Sequence, residues 1–96
     1  MGASKSKIDN RKYCFLCGRW YDLQRHHCLS GPDRQKAEED GLWVWLCASC
    51  HVSGPHAVHG PYGTDNRQLL RREAQKAYER DHTRAEFMAR YGRNYL

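Results

Sequence analysis

No apolar run in this sequence approaches the ~20 residues that a membrane span needs. A membrane-embedded chain is therefore not expected. The opening stretch, MGASKSKIDNRK, lacks an apolar h-region, so a secretory signal is not expected there either. Without export the chain is expected in the cytoplasm. In that reducing setting its five cysteines bind metal more readily than they form disulfides. Apolar substance is scarce as well. Mean hydropathy is -0.95, and the large apolar residues gather at 13–23, 42–47 and 87–96. A chain of 96 residues is one small domain, and one this polar needs a staple, which a bound metal supplies. There is no internal repeat and no low-complexity tract.

The charge is uneven. Residues 1–12 carry four basic groups and one acid, residues 13–60 four and five, and residues 61–96 eight and five. Both ends are thus basic around a near-neutral centre. That distribution suits either a polyanionic partner or an ordinary solvated helix. Residues 1–12 read as a flexible basic arm with Lys5, Lys7, Arg11 and Lys12.

From Tyr13 the chain reads as one α+β domain, with a metal-bearing core over 13–60 and a helical extension over 61–96. YDLQRHHCL alternates as a strand does, with Tyr21 and Leu23 on one face. SGP then makes a turn, and Asp33 is placed to cap a short helix ending at Gly41. LWVWLC reads as a buried strand. HVSGPHAVHGPYG is too rich in Gly and Pro for a long helix, although one turn after Cys50 is allowed. TDNRQLLRREAQKAYERDH is the clearest helix, capped by Thr64 or Asp65. Its apolar stripe is Leu70, Ala74, Ala77 and Tyr78, with Arg67, Arg71, Arg72, Lys76 and Arg80 on the other face. TRAEFMARYG predicts a short terminal helix, with Thr83 and Glu86 in capping-box spacing, Gly92 as its stop, and Phe87, Met88 and Tyr91 in the core.

Two Cys-x2-Cys pairs, Cys14/Cys17 and Cys47/Cys50, stand 29 residues apart. Four thiolates satisfy Zn2+ fully and leave no open position, so this spacing predicts a structural zinc. A doubled redox pair does not fit it. Cys28 is left over and reads as a buried thiol. Six histidines remain for other work: His26, His27, His51, His56, His59 and His82. His26 and His27 are adjacent on a strand, so they point to opposite sides, and one can hold a metal while the other faces a substrate. His51 follows Cys50 directly, so the zinc turn fixes its position. His82, near a helix end, reads as structural or exposed.

The combination C-x2-C … HH … C-x2-C-H resembles the HNH, or ββα-metal, nucleases. More narrowly, RHHCLSG, DRQKAEEDGLWVWLCASCH, AVH and FMARYGRNYL are similar to small phage and prophage proteins of that family, over nearly all of 13–96. The resemblance implies a zinc-stapled ββα-metal core with an added basic helix and a short terminal helix. It implies roles as well: His26 as a ligand of a catalytic divalent cation, His27 as general base, and His51 as the ligand that opens the helix. The usual third ligand, four residues on, falls on Pro55. His59 takes its place, with His56 the alternative. The middle Asn of the motif is missing around Asp40–Leu42, which leaves Asp33 or a backbone carbonyl to orient His27.

The activity implied is cleavage of DNA phosphodiesters with loose or partner-supplied specificity, using Mg2+, Mn2+, Ni2+ or Zn2+. Arg67, Arg71, Arg72, Lys76 and Arg80 would contact phosphates. A phage packaging or recombination protein is a further expected partner, the assembly a monomer or dimer, and the setting a bacterial host cell. The competing expectation is a non-catalytic, zinc-stapled nucleic-acid-binding or phage accessory module.

Overall fold

A computed structural model of the chain describes residues 5–96. Its sheet has two strands, β1 (Leu23–His27) and β2 (Trp43–Cys47), paired antiparallel so that Leu23 faces Cys47 and His27 faces Trp43. The apolar, aromatic sequence WVWLC favours extended backbone, and four of its five side chains are buried. The strand predicted from Tyr21 starts only at Leu23. Asp22 before it adopts φ 54°, and Tyr21 is exposed.

The link between the strands holds one 3-10 turn (Gly31–Asp33) and helix α1 (Arg34–Asp40). Asp33 occupies the cap position of α1, but its side chain makes no capping hydrogen bond. Gly41 ends α1 at φ 72°, as predicted. A Cβ there would meet the Lys5 carbonyl oxygen at 2.8 Å, because the N-terminal segment crosses this turn. Lys7 N–H donates to Gly41 O at 2.7 Å, and Ser6 Oγ donates to Trp43 O. Lys7 also pairs with Asp81, and Arg80 donates to Lys7 O at 2.7 Å. Where the sequence reads as an arm, residues 5–8 are therefore fastened to the body. Residues 1–4 of that arm lie outside the described residues.

After β2 comes a single π-type turn, Ser49–Ser53, and an irregular loop to Gly63. Helix α2 (Thr64–Tyr78) follows. Neither Thr64 nor Asp65 caps it. Gly63 is its cap residue, and a Cβ there would lie 2.0 Å from Ala57 O. A side chain at that point would drive the helix off the loop. Helix α3 (Arg84–Tyr91) opens on the expected capping box, with both Thr83–Glu86 hydrogen bonds present, and closes at Gly92 with φ 75°. No helix among the described residues is long and apolar enough to cross a membrane.

Leu42, just before β2, and Val44 and Leu46 within it meet Val58, Leu70, Ala74, Ala77 and Phe87 in one core. The predicted stripe of α2 is buried throughout, and so is Cys28. Met88 is not in the core: it is 45% exposed, beside buried Phe87 and Tyr91. Gln75, on the inner face of α2, is fully buried. Its amide donates to Glu79 and Asn94, and its oxygen accepts from Tyr95 N–H at 2.6 Å, which anchors the C-terminal tail.

Candidate metal centres

The first Cys-x2-Cys segment is a tight turn. Gly18 N–H donates to Cys14 O at 2.8 Å, Cys14 N–H donates to Arg19 O at 2.7 Å, and Gly18 takes φ 83°. Phe15 N–H donates to Trp45 O at 2.9 Å, which docks the turn beside the end of β2. Cys47 closes β2, and Cys50 lies in the π-type turn after it.

The four Sγ atoms lie within 4.8 Å of one another, and Cys17 Sγ is 3.6 Å from Cys47 Sγ. A Zn–S bond of about 2.3 Å sets the edge of a tetrahedral thiolate site near 3.8 Å. A disulfide needs about 2.05 Å. The spacing fits one structural metal such as zinc, and all five cysteines are unbridged. Burial opposes ionisation of Cys14, but the backbone N–H groups of Cys47, Cys17 and Leu16 outweigh it and bring the thiol down to about 7. The turn thus favours the thiolate, the form a metal takes.

A second group lies on one face of the hairpin. The ring nitrogens of His26, His51 and His59 come within 4.8 Å of one another. Their ring centroids are 5.4, 5.3 and 4.8 Å apart. His26 comes from β1, His51 from the π-type turn and His59 from the loop. The loop is pinched where Val58 N–H donates to Cys50 O at 2.9 Å and His59 N–H to His51 O at 3.1 Å. That pinch brings His59 beside His51. It sends His56 elsewhere, to pack against Tyr62, while its backbone oxygen accepts from Asn66. Of the two alternatives for the third residue, the geometry assembles His59. His51 is the middle residue of the short π-type turn Ser49–Ser53.

Gln24, two residues before His26 on the same face of β1, accepts from His51 Nδ1 at 2.6 Å. An amide oxygen can only accept, so His51 carries its proton on Nδ1 and presents a bare Nε2. Partners of this kind orient metal-ligating imidazoles. His26 is 7% exposed. Burial, then the neighbouring His51, His59 and His27, hold its pKa down at about 3. Burial and His59 also lower that of His51. Both shifts favour the neutral ring, the form that ligates a metal.

His27 turns to the other face, where its Nε2 lies 2.6 Å from Glu38 Oε1 of α1. Glu38 also accepts from Arg25 at 2.8 Å, and the Arg25 guanidinium sits 3.9 Å from the centroid of the Trp43 ring. The hydrogen bond from His27 is the main force holding the Glu38 carboxyl below its ordinary value, with Arg25 adding to it against burial. The residue holding His27 is therefore Glu38, and neither Asp33 nor a backbone carbonyl. Asp33 lies 4.0 Å from Lys36 instead. His27 still lines a cavity of about 240 Å³ together with His26, His51, His59, Arg25 and Arg34.

The basic residues of α2 do not share one face. At 100° per residue, Arg67 and Arg71 fall within about 60° of buried Ala74. Both line a small cavity with His26, His27 and His59. Arg67 donates to Val58 O at 2.6 Å. Arg72 and Lys76 lie about 160° away from Ala74 and are exposed, as is Arg80 beyond the end of α2. His82 stacks on Tyr78 at 4.1 Å, a structural role. Sequence reasoning missed Gln24 and Glu38. Gln24 had a signal, the i, i+2 relation to His26. Glu38 had none, because a helix inserted in the hairpin link brings it to His27. No family model, curated protein or solved structure matches the chain.

Proposed function

We propose that the chain is a metal-dependent endonuclease of the HNH, or ββα-metal, kind that hydrolyses phosphodiester bonds in DNA. One observation carries this reading: three imidazoles converge on a single point, and a fourth, His27, lines the same cavity with one nitrogen tied to a carboxylate. A packing role explains a single histidine but not this division of labour.

His26, His51 and His59 would hold the catalytic cation, and three nitrogen ligands favour Zn2+, Ni2+ or Mn2+ over Mg2+. Bound there, such a cation supplies charge stabilisation to a phosphate oxygen and to the leaving 3′ oxygen. The protein's own groups do the rest. The Glu38 carboxylate accepts the Nε2–H of His27, which leaves Nδ1 as the free base. Nδ1 takes a proton from the attacking water, a step worth about 10²–10⁴-fold in rate. Arg25 and Arg34, which line the cavity, offer positive charge to the phosphate. The four-cysteine metal holds the frame and takes no part in the chemistry.

A second reading has one observation of its own. Trp20 and Tyr21 beside the Cys-x2-Cys turn are 77% and 49% exposed, and Arg19 lies 5.1 Å from the Tyr21 ring. Exposed rings of this sort stack on bases, which suits a module that binds nucleic acid, or serves a phage partner, without cutting.

Plasmid nicking separates the two. Wild type is assayed with Mg2+, Mn2+, Ni2+ or Zn2+ beside a His27→Ala variant of unchanged zinc content. Metal-dependent nicking that disappears in the variant supports the nuclease. Salt-sensitive binding without cleavage under any of these metals selects the binding module.

A further inference from the structure

The largest cleft among the described residues is not the histidine cavity. It lies beside it, between the turn leading into α1 and the inner side of α2, and its volume is about 620 Å³. Ser30 lines this cleft, the histidine cavity and the small cavity under α2, and Arg71 lines both the cleft and that small cavity. The cleft and the histidine cavity are therefore immediate neighbours across Ser30.

Its walls have a defined chemistry. Arg71 and Arg93 both face it, and neither has a carboxylate partner among the described residues. Asp33 is the single acid on the wall, and Lys36 stands 4.0 Å from it. Gln68 adds an amide. Tyr95 adds an aromatic ring that is held in place: its backbone N–H donates to the fully buried Gln75, and its ring meets Phe87 at 6.3 Å. The Arg71 guanidinium lies 5.9 Å from that ring. Two unpaired guanidiniums suit a phosphate, and a fixed ring suits a base.

We propose that this cleft is a subsite for one unpaired nucleotide adjacent to the scissile phosphate, with its phosphate on Arg71 and Arg93 and its base against Tyr95. The assignment to a flanking nucleotide rests on the nuclease reading. The volume sets the substrate class. A cleft of this volume suits a ligand the size of one nucleotide, and Tyr95 can stack only on a base that is not paired within a duplex. The preferred substrate is then a DNA strand unpaired at the cut: a single strand, a flap or a frayed end.

The test begins with binding. A 5′-phosphorylated deoxydinucleotide is titrated into the zinc-loaded full chain without a second cation and followed by NMR shifts. Saturable binding that weakens at least tenfold in Arg93→Ala and Arg71→Gln, but not in His59→Ala, supports the subsite. No saturable binding, or equal loss in His59→Ala, overturns it. Both arginines are surface-accessible, and unchanged thermal melting of each variant excludes misfolding as the cause. Cleavage then reads the preference. Single-stranded oligonucleotide should exceed the matched blunt duplex at least tenfold in kcat/KM, with that ratio collapsing in Arg93→Ala. Equal cleavage of both substrates by wild type overturns the preference. Arginine-dependent dinucleotide binding by a protein that nicks no DNA would sink the nuclease reading and leave a nucleotide site.

Discussion

Glu38 Oε1 lies 2.6 Å from His27 Nε2, and the same carboxylate accepts from Arg25 at 2.8 Å. Helix α1 thus reaches back to the last residue of β1 and fixes one histidine tautomer. Glu38→Gln keeps the shape but offers a mixed donor and acceptor, and Glu38→Ala removes both. On the nuclease reading, kcat should fall about 10–100-fold in Glu38→Ala, the range for a group that orients another, and less in Glu38→Gln, with KM little changed. A drop in KM affinity equal to the drop in kcat would mean that Glu38 acts on binding.

The cysteine site predicts that one metal survives exhaustive dialysis and that its removal unfolds the chain. Structural zinc contributes on the order of 10–16 kcal/mol to small domains. Elemental analysis beside circular dichroism, with and without a strong chelator, reads both. Cys17→Ser should lose metal and structure together. Cys28→Ser should keep the metal, because Cys28 is buried in the core apart from the other sulfurs.

The histidine triangle predicts a second, weaker metal. Titration of the zinc-loaded protein with Ni2+ should show one added site. His59→Ala should abolish it and His56→Ala should not, since only His59 joins the other rings. Gln24→Ala should weaken it about 10–100-fold through loss of the bond that orients His51.

Gly63→Ala tests how α2 is seated. The backbone there is ordinary, at φ -89°, but a Cβ would stand 2.0 Å from Ala57 O. Displacement of this kind costs about 1–3 kcal/mol. Because Ala57 belongs to the loop carrying His59, the urea midpoint should fall and the Ni2+ site should weaken together. A stability loss with unchanged Ni2+ affinity would uncouple the helix seat from the site.

The two sides of α2 should differ in DNA binding. Arg71→Ala should reduce the slope of log K against log salt by about 1, the signature of one lost phosphate contact. Arg72→Ala, on the outer face, should leave that slope nearly unchanged. Equal effects would mean that DNA lies along the outer face of α2.

These particulars show which features the sequence carries openly. The cysteine square follows from spacing alone, because a tight turn places thiols at i and i+3. The Thr83–Glu86 box and the Gly41 and Gly92 stops are local and legible. The opposed directions of His26 and His27 follow from strand alternation. Contacts between distant segments were not legible. His59 joins His51 through a backbone pinch across the SGPHAV loop, which no side-chain spacing encodes. Arg67 and Arg71 read as solvent-facing because charge is normally exposed. Here a polar cavity lies under that end of the helix and accepts them.

Cys50 and His51 are consecutive, yet they belong to different metal-binding groups. Whatever holds the sulfur of Cys50 also holds the backbone of His51, and through the pinch it holds His59. A newly made chain without its first metal has no preformed triangle to offer a second. If both groups take metal, the thiolate site should fill first and the histidine site become competent only afterwards, which Ni2+ titration before and after zinc loading would read.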